Sequence, residues 1–378
     1  MTDLVALGEL TTLHVGGVPA AMLEPATEQE LVDAALDVWS DGGEWMLLGG
    51  GSNTVAGDEG FDGTVIRVLT GGIERLAPDD ATDAVVRLRV QAGESWDGLV
   101  AYTVEQGWTG LEALSGIPGS VGAAPVQNIG AYGQELAPSL TAIDFLDEES
   151  GELRHMPAGE LALGYRTSVL KQGLRGVVVA VELTLRAAEA SAGGAPLSEP
   201  IAYPQLAGAL GVQLGDRVPL ADVRTAVLAL RASKGMVLDA ADHDTWSAGS
   251  FFTNPIVSEG FARELPAGAP RWPLGRALPD RVIPLEEYAG VGPVPGADNP
   301  VRVKLSAAWL IEAAGIGRGF RLPGSRAAIS SKHTLAITNT GGATADEIAQ
   351  LARFVQGRVA AEFGIILQPE PVLVGVTL

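Results

Sequence analysis

The apolar positions of this chain fall into short periodic runs separated by glycine and proline. From Thr27 to Ser40, Leu31, Ala35, Val38 and Trp39 share one helical face, Thr27 and Glu30 form a capping box, and Gly42 and Gly43 end the run. Trp45–Leu48 and Thr64–Val68 predict short buried strands, so this stretch is an α+β or α/β unit. Val86–Val90 alternates as a half-buried strand does, and Ser95–Gln106 predicts a helix that buries Trp96, Leu99, Val100 and Val104. Gly176–Leu185 is a Val-rich strand, Ala187–Pro196 a small-residue loop, and Pro219 opens a helix carrying Leu220, Val223, Val227 and Leu230. The spacing further predicts a helix over Val303–Ala314, stopped by Gly315. The strongest helix runs over Thr344–Phe363, with Thr344 and Glu347 as its capping box, Gly364 as its C-cap and a closing strand from Ile365.

Between Pro266 and Pro300 lie 8 of the 23 prolines, which predicts no regular element there. The stretch is long for a connection and is either a mobile loop or an insertion. No internal repeat is present.

At 378 residues the chain predicts two or three domains, and 47% apolar content suffices for their cores. A net charge of −21 argues against nucleic acid and anionic membrane surfaces as partners. It leaves room for a local basic pocket. Zero cysteines exclude disulfides, a thiolate nucleophile, Cys-ligated zinc and iron–sulfur clusters. His14, His155, His243 and His333 share no metal-like spacing with carboxylates, so no metal site is expected. No apolar run approaches the roughly 18 residues of a spanning helix. With no basic, apolar leader at the N-terminus, a cytoplasmic protein is expected, and a monomer. Only four lysines occur, Lys171, Lys234, Lys304 and Lys332, against 21 arginines, so each is a candidate for a specific role as well as for an ordinary surface charge.

Two glycine-rich segments carry candidate chemistry. Leu47–Asn53 holds three consecutive glycines after a predicted strand. It is either a tight turn or a nest of N–H groups for phosphate oxygens. It matches neither the P-loop nor the Gly-x-Gly-x-x-Gly fingerprint. Ser115–Gly133 holds glycines, two prolines and the amides of Gln127 and Asn128, too broken for a packed helix or strand and too apolar for a linker. A buried cofactor-binding loop explains it better than a structural turn.

These segments resemble the flavin-binding loops of the UDP-N-acetylenolpyruvoylglucosamine reductase family. Gly164–Ser168, Ser247–Pro255, Ala307–Glu312 and Leu367–Gly375 extend the likeness in order, from about Thr11 to Gly375. The resemblance implies an α+β chain: a two-subdomain FAD-binding module of the vanillyl-alcohol-oxidase-like type plus a C-terminal α+β substrate domain. The expected division is 1–70, 71–225, 226–365 and a terminal strand 366–378. It implies non-covalent FAD, NADPH as hydride donor, and UDP-N-acetylglucosamine enolpyruvate as substrate, reduced to UDP-N-acetylmuramate for peptidoglycan. For the cofactor it assigns Gly49, Gly50, Gly51, Ser52 and Asn53 from the first loop. From the second come Pro118, Gly119, Ser120, Gly122, Ala123, Gln127, Asn128, Gly130, Ala131 and Tyr132.

Hydride from reduced flavin would go to C3 of the enol ether, leaving negative charge at C2 and in the carboxylate. Arg166 matches the family's arginine for that enolate, Glu370 its C-terminal glutamate, and Ser250 its proton donor to C2. A carboxyl beside a developing dianion helps only by donating a proton or hydrogen bond. Lys234, Asn254 and Lys304 are similar to phosphate contacts, while the sequence leaves open whether Lys171 and Lys332 are more than ordinary surface charges. Tyr203 resembles the tyrosine of a loop that closes over the nucleotide in one subtype. Pro371 and the diverged Arg321–Ser325 depart from the pattern. Pro371 would limit strand pairing and Arg321–Ser325 leaves the uridine contacts open. Two other functions share parts of these motifs: another FAD oxidoreductase of the same fold, and a non-catalytic nucleotide-sugar binder.

Overall fold

The computed structural model describes residues 4–77, 84–274 and 302–378. Near the N-terminus three parallel strands lie in the order Pro19–Leu23, Phe61–Arg67, Trp45–Leu48. Helix Glu28–Ser40 covers them. Its capping box forms as the sequence predicts, with the Glu30 N–H donating to Thr27 Oγ1 at 3.2 Å and the Thr27 N–H to Glu30 Oε2 at 3.1 Å. The helix buries Leu31, Ala35 and Val38 against Ile66, Leu146, Val177 and Val179, tying the small sheet to the next one.

That second sheet is antiparallel and six-stranded. Its order is Leu153–Pro157, Leu140–Asp147, Gly176–Ala187, Val85–Gln91, Ile73–Leu76, with Trp108–Thr109 pairing beside the long strand. Val177–Val181 are buried without alternation because Gly176–Ala187 is central and covered on both faces. Helix Trp96–Glu105, capped by Ser95, packs on this sheet through Trp96, Leu99 and Val100.

The C-terminal part holds a three-stranded sheet with Arg302–Leu305 at its centre, between Ile256–Ser258 and Arg271–Leu274. A strand pair, Ala327–Ile329 with Ile337–Asn339, and helices Ala307–Ala313 and Ala345–Phe363 complete it. Its core draws in Leu13, Val15 and Val55 from the N-terminal part. Strand Val372–Val374 then returns to pair in parallel with Thr54–Ala56.

Four expectations change. Val303–Ala314 is not one helix: Val303 and Leu305 are buried by alternation in a strand, and Ser306, accepting from the Trp309 N–H at 3.2 Å, caps a shorter helix. Arg271–Leu274 is a strand despite Pro273, which the sheet tolerates because the strand is an edge. The rest of the proline-rich stretch, from residue 275, lies outside the described residues. The second glycine-rich loop contains a 3-10 helix, Val121–Gln127, whose short ladder accommodates Pro125. The closing strand starts only at Val372, after Pro371 has removed one donor.

Candidate active site

The first glycine loop leaves strand Trp45–Leu48 and crosses the second at van der Waals distance. A Cβ on Gly50 would lie 2.8 Å from the Gly119 Cα, and Ser52 Oγ donates to the Pro118 carbonyl at 3.1 Å. Gly51 has φ +60, and a Cβ there would meet the Leu10 carbonyl at 2.1 Å. The second loop is braced from behind. Asp97 accepts from the Gly116 N–H at 2.6 Å and pairs with both guanidinium nitrogens of Arg224 at 2.6 and 2.9 Å. Burial works to raise the Asp97 pKa, but these donors outweigh it and hold the carboxyl below its ordinary range.

Between the loops opens a cavity of about 550 Å³. Of the residues expected at the cofactor, Gly49–Asn53, Pro118, Gly119, Ser120, Gly122, Ala123, Gln127 and Gly130 line it. The backbone N–H groups of Gly50, Gly51, Ser52 and Asn53 make no hydrogen bond among the described residues, so four consecutive donors stand free at its wall. Trp96, Phe145, Leu174 and Val178 give it an apolar side. A dinucleotide with a flat ring and a diphosphate fits this donor set: dipoles for the phosphates, apolar surface for the ring, glycine where side chains would block it. The residues present therefore fit FAD.

Asn128, Ala131 and Tyr132 do not line this cavity. Asn128 ends the 3-10 helix at φ +45. Its amide is committed to the Gly164 carbonyl at 3.2 Å, to Glu135 at 3.1 Å and, as acceptor, to the Ala137 N–H at 3.0 Å. The chain beyond it turns away, and Tyr132 meets Tyr203 edge-on with ring centroids 5.8 Å apart. Lys234 Nζ lies 5.4 Å from the Tyr132 ring and donates to Gln205 Oε1 at 2.8 Å. Burial, then Arg231, lowers its pKa.

The far end of the cavity gathers side chains from distant segments. Arg166 sits in a tight turn at φ +53, unusual for a residue with a side chain. Its Nη2 donates to the Gly130 carbonyl at 3.1 Å, and its Nε lies 3.3 Å from Glu370 Oε1. Gln127 Nε2 donates to the same oxygen at 3.2 Å. Glu370 is held by its own N–H, which donates to the Phe251 carbonyl at 2.9 Å, and by the Val372 N–H, which donates to Asn53 O at 2.8 Å. Ser250, next to Phe251, lines the same cavity, and its hydroxyl makes no hydrogen bond among the described residues.

A second cavity of about 740 Å³ meets the first at Arg166 and Lys171, and it is lined by Tyr165, Thr253 and Asn254 among others. Asn254 Oδ1 accepts from the Ala307 N–H at 2.9 Å, and Lys304 Nζ lies 4.8 Å above the Tyr165 ring. Arg166, Ser250 and Glu370 are thus together, Asn254 and Lys304 adjoin them, and Tyr203 with Lys234 forms a separate cluster around Tyr132.

Lys171, whose role the sequence leaves open, lines both cavities. Its ammonium donates to Gln127 Oε1 at 3.3 Å and to the Glu370 carbonyl at 3.4 Å. Burial lowers its pKa, Glu370 pulls it back up, and Arg166 lowers it further. Arg231, also missed by sequence reasoning, lines the first cavity while donating to the Gly116 and Met236 carbonyls. The scarcity of lysine is the available signal for Lys171. Nothing marks Arg231 among so many arginines. Lys332 is an ordinary charge, paired with Asp242.

The N-terminal half of the chain matches the FAD binding domain family over residues 19–156, which makes this a flavin-binding oxidoreductase. The C-terminal half matches the UDP-N-acetylenolpyruvoylglucosamine reductase C-terminal domain over residues 241–374. The reductase of Leifsonia xyli is 62% identical over 382 residues, covering 100% of each chain. That of Saccharopolyspora erythraea is 49% identical, covering 99% of this chain and 95% of its own. The crystal structure of the Thermus caldophilus reductase superposes with a TM-score of 0.60 at 25% identity, covering 98% of both chains. The chain belongs to the UDP-N-acetylenolpyruvoylglucosamine reductase family, FAD-dependent oxidoreductases that take hydride from NADPH.

Proposed function

We propose that this chain reduces UDP-N-acetylglucosamine enolpyruvate to UDP-N-acetylmuramate with Arg166, Glu370 and Ser250 as its catalytic residues. The observation that carries the assignment is their convergence, from segments far apart in sequence, at one end of a glycine-walled cavity. FAD held along Gly49–Asn53 and Pro118–Ala123 supplies, when reduced by NADPH, the hydride taken up at C3 of the enol ether. Arg166 pairs with the substrate carboxylate and favours the enolate that develops there. Glu370 serves from the other side as a hydrogen-bond donor. Its Oε1 already faces two donors, Arg166 Nε and Gln127 Nε2, so Oε2 is the oxygen left for the substrate. The Ser250 hydroxyl, free of protein partners among the described residues, gives its proton to C2, a step open to so weak an acid only because the carbanion is strongly basic.

Asn254 and Lys304, beside the second cavity, are read as diphosphate contacts, with Lys234 and Tyr203 closing over the nucleotide. The division into 1–70, 71–225, 226–365 and 366–378 is kept as a proposal, although two apolar clusters cross it, one joining Leu31 and Ile66 to Leu146 and Val177, the other Leu13 and Val55 to Phe251 and Val355. The protein is read as a cytoplasmic monomer. No helix among the described residues is long and apolar enough to cross a membrane, and no cluster there could hold a metal ion.

The test is anaerobic. Protein reduced by NADPH is mixed with the enolpyruvyl nucleotide and the flavin spectrum followed. Rapid reoxidation with formation of UDP-N-acetylmuramate is expected. Flavin that stays reduced would overturn the substrate assignment. Ser250→Ala should slow reoxidation by about 10²-fold or more while leaving reduction by NADPH intact.

A further inference from the structure

Gln127 is the only side chain other than Arg166 that bonds the Glu370 carboxyl among the described residues. Its amide can face that carboxyl in two ways, as donor or as acceptor, and the two have opposite chemical consequences. Presented as a donor, it holds Oε1 and leaves Oε2 unbonded among the described residues. Turned over, its carbonyl would set oxygen against Oε1 and push the carboxyl out of place. What surrounds the other end of the amide decides between them.

Two donors stand there. Asn53 Nδ2 lies 3.5 Å from Gln127 Oε1 and 3.3 Å from the Glu370 carbonyl. Lys171 Nζ lies 3.3 and 3.4 Å from the same two atoms. An ammonium has three donors and no acceptor, so it can never accept from an amide NH₂. A flipped Gln127 would set its NH₂ against the ammonium and the Asn53 amide with no acceptor among the three. Asn53 could turn over to relieve such a clash. Lys171 could not.

We infer that Lys171 is a positioning residue for this reaction, locking the Gln127 amide and the Glu370 backbone so that the Glu370 carboxyl keeps Oε2 for the substrate. It acts through these two residues and needs no contact with cofactor or substrate. Its own backbone is fixed near the site by the N–H bond to Ser168 Oγ at 3.2 Å, and Ser168 Oγ in turn donates to the Val126 carbonyl at 2.6 Å. One short segment therefore ties Lys171 to the helix that carries Gln127. The inference rests on the proposed reductase chemistry and adds to it a fourth side chain that the catalytic motifs do not include.

The experiment compares Lys171→Met and Lys171→Arg with the unaltered holoenzyme. Methionine keeps the length and removes the donor, whereas arginine keeps a donor that cannot accept. Lys171→Met should lower kcat about 10- to 100-fold with KM for the enolpyruvyl nucleotide within about threefold. FAD affinity, read by fluorescence titration, and the rate of flavin reduction by NADPH should stay within about twofold, so that only substrate-dependent reoxidation slows. Lys171→Arg should recover most of the loss. Combining Lys171→Met with Gln127→Leu should be no worse than the poorer single variant, because both act through one carboxyl. A Lys171→Met enzyme with undiminished kcat overturns the inference, as does an additive double variant. A loss of FAD affinity of tenfold or more also overturns it and makes Lys171 a cofactor ligand. Failure of the unaltered enzyme to reoxidise would count against the reductase assignment itself.

Discussion

Arg166, the proposed partner of the substrate carboxylate, owes its aim to its backbone conformation. At φ +53 an L-residue carries a conformational cost that a packed turn must offset, here through paired hydrogen bonds between Gly164 and Thr167 at 3.1 and 3.4 Å. The turn aims the guanidinium at Gly130 and Glu370 together. Arg166→Lys keeps the charge but loses the second arm, and steady-state kinetics should show kcat reduced about a hundredfold. A second residue-scale expectation concerns His333, which burial first, then Lys234 and Arg318, depress to a pKa of about 4 against an ordinary 6.5. The folded protein withholds a proton that the unfolded chain accepts below pH 6.5, so stability falls as pH drops from there to about 4 and levels off beneath. His333→Gln should flatten that slope in urea titrations by on the order of 1–3 kcal/mol. At this scale the sequence is legible wherever a motif fixes register, as for Arg166, Ser250 and Glu370. It is opaque for Lys171 and Arg231, because a lone cation gives no sign of which backbone carbonyls will surround it.

Helices and strands are most legible where local chemistry and periodicity agree. Helix Ala345–Phe363 has both. Thr344 Oγ1 accepts from the Glu347 N–H at 3.1 Å, and Ile348, Leu351, Val355 and Val359 are buried on one stripe. Thr344→Ala should cost about 1 kcal/mol in denaturant unfolding without altering the slope of the transition. Glu30, in the other capping box, is held below its ordinary 4.5 by the backbone N–H groups of Ala26 and Thr27. Its support for helix Glu28–Ser40 is therefore full above pH 4.5 and lost as pH falls through the depressed value. Glu30→Gln, which cannot ionise, should abolish that acid transition in denaturant unfolding followed against pH. Val303–Ala314 misleads for a physical reason: Val303, Ala307, Leu310, Ile311 and Ala314 recur at helical spacing, while Val303 and Leu305 alternate as a strand. Only Ser306, a good cap, marks the boundary.

Across the whole molecule, an acidic chain concentrates cations at the cavity that fits the anionic dinucleotide, with Arg166, Lys171 and Arg231 in its lining despite a net charge of −21. The resemblance makes the order of parts legible, but not the closure of the chain on itself, since no local pattern says that Val372–Val374 will choose Thr54–Ala56 as its neighbour. That pairing anchors Glu370. A chain ending at Pro371 keeps every catalytic side chain yet loses the anchor, so turnover should collapse while FAD titration changes far less. The same pairing has a temporal meaning. Translation makes the glycine cradle early, yet Ser250, Glu370 and Val372 wall the same cavity, so the pocket is completed only after the chain has returned to Thr54–Ala56.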